Sequence, residues 1–170
     1  MKDILILGIG NLVLKDEGVG IHIIHRLEQM QLPEGVDILD GGTGGIFLIG
    51  TLQQYRHIIM IDATLDNLPP GTVRRIKPRF SIDYPFLLSA HEIGLKDMID
   101  AMILQDNIPD IELIVVTAKD IQEIGMELSP DVKKSMNNII ELIYDIINEI
   151  RCKQSNFGRK IMYRVKPQLI

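Results

Sequence analysis

Four short apolar runs, rich in β-branched residues, alternate along this chain with stretches of helical periodicity. They are "DILILG" (3–8), "VDILDGG" (36–42), "HIIMIDA" (57–63) and "IELIVVTA" (111–118). A run with little polar alternation has to be covered on both faces, which is the condition of a strand inside a parallel sheet. A fifth segment, "TVRRIKP" (72–78), alternates and carries charge, so it reads as an edge strand entered through the turn Pro69-Pro70-Gly71.

The stretches between the runs have helical spacing. Val19, Ile23, Leu27 and Met30 form one stripe, and residues 43–55 give a second, weaker pattern. Residues 91–105 give a third, with Leu95, Met98, Met102 and Ile103 inward. The last helix opens with Ser129 as N-cap and Pro130 in the first turn. Its stripe of Val132, Met136, Ile139, Ile140, Ile143, Ile147 and Ile150 takes it to about residue 151. The fold class expected is α/β: a single three-layer domain with a mostly parallel twisted sheet of about five strands and helices on both faces. That domain occupies residues 1–150, and 151–170 form a basic C-terminal tail.

Charge and composition narrow the function. At 170 residues with 46% apolar and 24% charged side chains, the chain has an ordinary globular balance. The net charge is −5, but the last twenty residues hold six Lys or Arg and no acid, so residues 1–150 carry −11. An acidic body is unsuited to a phosphate backbone, and the tail reads as a solvated or loosely docked terminus. Cys152 is the single cysteine, which excludes an intrachain disulfide and a cysteine-based metal cluster. No signal peptide and no apolar run long enough for a bilayer is visible, so a cytoplasmic protein is expected, with neither nucleic acid nor membrane as partner. The oligomeric state is not legible, and a monomer is the default expectation.

In open parallel sheets ligands bind beyond the carboxyl ends of the strands. Here those ends carry acids. The first run leads through Gly8-Ile9-Gly10-Asn11 to Asp16-Glu17, the second ends at Asp40 before Gly41-Gly42-Thr43-Gly44-Gly45, and the third ends at Asp62. A dinucleotide fingerprint would need glycine where Val13 stands. Asp16 and Glu17, at the start of a helix, would also repel a pyrophosphate. A nucleotide enzyme using Asp37 or Asp40 on a ribose is therefore the weaker alternative. Clustered carboxylates attract a cation, and His91, in a loop segment "LLSAHEIGL", supplies an imidazole. Two carboxylates and an imidazole suit a borderline divalent ion such as Ni²⁺, Zn²⁺ or Mn²⁺. Simpler roles compete: either acid of the 16–17 pair can serve only to stabilise a helix start, and Thr43 can serve only as a cap. His22 and His25 read as a solvated surface pair, and His57 as a strand-edge residue.

"GIGNLVLKDEGVG", "LDGGTGG", "IDA" and "SAHEIGL", in this order and spacing, resemble the hydrogenase maturation endopeptidases. The likeness spans roughly residues 1–150 and includes "GMELSPDV" (125–132), while "TAKDIQEIG", after the fourth run, departs from the family's usual pattern. The resemblance implies an endopeptidase that removes the C-terminal extension of a nickel-loaded hydrogenase large-subunit precursor. It implies a nickel-docking site of Glu17, Asp62 and His91, with the nickel supplied by the substrate and replaceable by Zn or Cd in a crystal. Asp40 corresponds to the acid implicated in the family's activity, and Asp16 is left as the helix-start acid. The hydrolysis would be aspartic-type or metal-assisted, since no nucleophile elbow and no H-E-x-x-H helix is present. Alternatives at this point are a non-cleaving metal-sensing chaperone for the hydrogenase subunit, a Rossmann-like nucleotide-binding enzyme and a hydrolase with resident zinc.

Overall fold

A computed structural model describes residues 2–77, 100–104 and 108–162, with side chains through 155. Five strands form one sheet: β1 (Lys2–Ile9), β2 (Val36–Gly42), β3 (Tyr55–Thr64), β4 (Val73–Ile76) and β5 (Asp110–Thr117). Their order is β2-β1-β3-β5-β4. The β1–β2, β1–β3 and β3–β5 pairs are parallel, and β4 runs antiparallel to β5 at the edge. The charged segment thus takes the edge position that its alternation requires.

The strands read as continuous apolar runs because alternate residues feed two different cores. Ile4, Ile6, Ile59, Ile61, Ile114 and Val116 face one side. There they pack against Val19, Ile23 and Leu27 of α1 (Val19–Leu27) and Val132, Ile139, Ile143 and Ile147 of the last helix. Leu5, Leu7, Ile58, Met60, Leu113 and Val115 face the other side, beneath Leu52 and Met102. Every residue of β3 from Ile58 to Thr64 is buried.

Three elements differ from the expectation. The pattern at 43–55 yields only a 3-10 turn (Gly45–Leu48) and a single turn, α2 (Ile49–Leu52), before β3 begins at Tyr55. Gly44, Gly45 and Gly50 weaken a helix there, and Gly45 takes a left-handed φ of 47°. α1 stops at Leu27, leaving Met30 exposed. The final helix, α3 (Pro130–Met162), continues past residue 151 into the basic segment. No glycine or proline interrupts the sequence between Pro130 and Gly158, so nothing local stops it earlier. Ser129 holds the cap position, its carbonyl accepting the Lys133 N–H at 2.8 Å. Its hydroxyl, however, makes no hydrogen bond among the described residues. The expected helix at 91–105 lies outside the described residues except for 100–104, which are helical. No helix among the described residues is long and apolar enough to cross a membrane.

Candidate active site

β1 and β3 are neighbours, with Gly8 opposite Ile61, so the turns that leave their carboxyl ends lie side by side. Glycine makes this approach possible. A Cβ on Gly20, at the start of α1, would lie 2.5 Å from the carbonyl oxygens of both Ile9 and Ile61. A Cβ on Gly10 would lie 1.8 Å from the Glu17 carbonyl oxygen, and Gly10 has a φ of 136°. These glycines let the Glu17 turn sit down directly on the strand ends.

The turn is a 3-10 helix, Lys15–Gly18, whose acids are both buried. Glu17 is 1% exposed, and its N–H donates to the Leu14 carbonyl at 3.1 Å. Asp62 lies near the end of β3 at 3% exposure, its Oδ1 accepting the Ala63 N–H at 2.8 Å. Thus two carboxylates that are remote in sequence are buried at the same end of adjacent strands. Burial of a carboxylate is costly unless a cation, a proton or hydrogen-bond donors compensate it. The pair supplies hard oxygen donors on a fixed frame, and such donors fit a divalent cation once an imidazole joins them. His91, the expected third donor, lies outside the described residues. Among the described residues no three His, Cys, Asp or Glu side chains gather in a way that would hold a metal.

Asp40 occupies a different setting. It stands opposite Gly8 on β1, as Ile61 does from the other side, so its side chain projects from the α1 face of the sheet. Strand alternation sends Asp62 to the opposite face. Asp40 is half-exposed; Oδ1 accepts the Gly42 N–H at 2.9 Å and Oδ2 lies 3.8 Å from His25 Nε2. The glycine loop beside it is partly committed to itself. The Gly42 N–H goes to Asp40, and the Gly44 N–H goes to the Gly41 carbonyl at 2.9 Å.

Asp16 is not a simple helix-start acid. It is fully buried, and its side chain reaches out of its own turn to two distant backbone donors. Oδ2 accepts the Lys119 N–H at 2.8 Å, and Oδ1 accepts the Ser129 N–H at 2.7 Å. His22 also departs from the surface role expected of it: half-buried, its Nε2 lies 3.0 Å from the Met126 carbonyl oxygen. Burial pushes its pKa below the ordinary histidine value. His57 lies within β3 near its start, at the far end of the sheet from the buried carboxylates. Thr43 does not cap the following 3-10 turn, where Gly44 takes the cap position without a side-chain hydrogen bond.

Comparison with known proteins gives this arrangement a family. The model of a family described as hydrogenase maturation protease matches residues 21–146. The hydrogenase 2 maturation protease of Escherichia coli (strain K12) is 32% identical over 152 residues, which cover 86% of this chain and 91% of that protein. Among solved structures, the hydrogenase maturating endopeptidase HybD from E. coli matches with a TM-score of 0.80 at 32% identity, covering 86% of this chain and 93% of that one. The [NiFe] hydrogenase maturation protease HybD from Thermococcus kodakarensis matches with a TM-score of 0.70 at 29% identity, over 85% of this chain and 98% of that one.

The chain belongs to the hydrogenase maturation protease family. It is accordingly a peptidase, which sets aside the nucleotide-binding enzyme and the non-cleaving chaperone.

Proposed function

We propose that this peptidase removes the C-terminal extension of a hydrogenase large-subunit precursor that already carries nickel, and that Glu17, Asp62 and His91 form the dock for that nickel. The observation that carries the reading is the burial of Glu17 and Asp62, at 1% and 3% exposure, one in the turn after β1 and the other near the end of the adjacent β3. In this reading the metal is cargo of the substrate, so only a loaded precursor gains the three-point attachment. Docking converts the approach of the scissile bond into an intramolecular placement. A bound divalent ion would supply Lewis-acid polarisation.

The protein's own groups supply the rest. Asp40 is exposed enough to meet water and is anchored through Gly42, so it serves as the general base for the attacking water. It acts from beside the dock and is not one of the ligands, since it leaves the sheet on the face opposite Asp62.

The test is conversion of a nickel-loaded precursor, followed as a mass decrease, with full-chain wild type and the variants Glu17→Gln, Asp62→Asn and His91→Ala. Each variant should keep the wild-type circular dichroism spectrum and lose conversion. Normal cleavage by Glu17→Gln or His91→Ala would remove the docking role. A precursor cut equally well with and without nickel would remove the metal requirement.

A further inference from the structure

The turn that carries Glu17 is held from outside by the segment between β5 and α3. The Lys15 N–H donates to the Gly125 carbonyl at 2.7 Å, and the Gly125 N–H donates to the Val13 carbonyl at 2.9 Å. Lys15 pairs with Glu123, and His22 reaches the Met126 carbonyl oxygen at 3.0 Å. The two innermost attachments both end on Asp16, whose oxygens take the N–H groups of Lys119 and Ser129. At 0% exposure this carboxylate sees no solvent, and both of its oxygens are engaged by donors ten residues apart in sequence.

We propose that Asp16 is a positioning residue for Glu17: its two-armed clamp on Lys119 and Ser129 fixes the backbone from which the Glu17 carboxylate projects toward the docked cation. The inference rests on the reading of Glu17 as a nickel ligand. Its physical basis is the rigidity of a buried carboxylate held by two charge-assisted hydrogen bonds. The adjoining backbone is fixed too, with the Glu17 N–H on the Leu14 carbonyl and the Glu17 carbonyl against Gly10. At 1% exposure on this hydrogen-bonded backbone, the Glu17 side chain has few orientations left and is preset for its ligand. Substitution Asp16→Asn keeps the shape but replaces one acceptor oxygen with an NH₂ group. That group would face a backbone N–H, so one arm of the clamp must break.

The test is calorimetric titration of nickel ion alone into the full-length protein, below the onset of thermal unfolding for every variant. Asp16→Asn should weaken nickel binding about 10–100-fold, the range for partners that orient a metal ligand. Because Asp16 acts through Glu17, the double variant Asp16→Asn/Glu17→Gln should bind no more weakly than Glu17→Gln alone. Ser129→Pro deletes one donor and leaves the carboxylate in place. It should also weaken nickel binding, and it carries the test if Asp16→Asn does not fold.

Wild-type nickel affinity in a folded Asp16→Asn or Ser129→Pro protein would overturn the proposal and leave Asp16 a purely structural tie. A full additive loss in the double variant would overturn it as well. If Glu17→Gln itself binds nickel as tightly as wild type, the docking reading fails first and takes this inference with it.

Discussion

Asp40 near the end of β2 and Glu17 in the turn after β1 are both acids, yet the structure gives them opposite surroundings, and their replacements should fail differently. Glu17 is buried, as Asp62 is, whereas Asp40 is half-exposed, tied to the Gly42 N–H and close to His25. Asp40→Asn should therefore leave nickel affinity at the wild-type value while lowering turnover about 10²–10⁴-fold, the usual loss for a general base. Parallel titration calorimetry and single-turnover cleavage would check this, and a loss of nickel affinity would instead make Asp40 a ligand. Gly10 gives a second prediction at this scale. Its φ is 136°, and a Cβ there would stand 1.8 Å from the Glu17 carbonyl oxygen, which leaves no space for a methyl group. Gly10→Ala should cost about 1–3 kcal/mol in urea unfolding through overpacking alone. Cleavage should suffer beyond that loss of stability, because the group displaced is the Glu17 backbone.

At the scale of elements, the sheet and its two covering layers were legible because burial on both faces leaves a continuous apolar record in each strand. β1, β3 and β5 fall within two residues of the runs that announce them. The edge strand was legible from its charge. Less of the site could be read, since strand ends located the acids but adjacency in sequence concealed what separates Asp16 from Glu17. Both are acids in one turn, and only the return of residues 119 and 129 to that turn distinguishes the clamp from the candidate ligand. The link between α3 and the sheet edge was equally invisible. Arg75 of β4 donates to both Glu149 oxygens at 2.9 Å and to Glu112 at 3.0 Å. Arg75 holds the Glu149 carboxyl below the ordinary glutamate value of 4.5. A carboxylate depressed in the folded state stabilises it above the unfolded value, and that contribution disappears as pH falls through the folded value. The gap in urea midpoint between wild type and Glu149→Gln should thus be constant above pH 4.5 and close below it. A gap that persisted in acid would show that the ion pair contributes nothing.

For the whole molecule, the decisive fact is that α1 and α3 share one face of the sheet while α2 and residues 100–104 cover the other. α3 supplies Val132, Ile139, Ile143, Ile146 and Ile147, each at most 1% exposed. A chain ending at residue 129 would leave Ile114 and Val116 of β5 facing water. Such a fragment should show no cooperative transition in scanning calorimetry and should aggregate, whereas the full chain should unfold in one step. A cooperative melt from the fragment would mean that the other face alone sustains the sheet.

The clamp on Asp16 also sets a timetable during synthesis. Its acid is made before either partner, and the second donor, Ser129, lies 113 positions later. A nascent chain can pair β1 with β2 and β3 well before that residue has been made. The Glu17 turn therefore stays unfinished until residue 129 has been made, and on the proposed reading a half-made enzyme would meet its substrate without a completed grip on the metal.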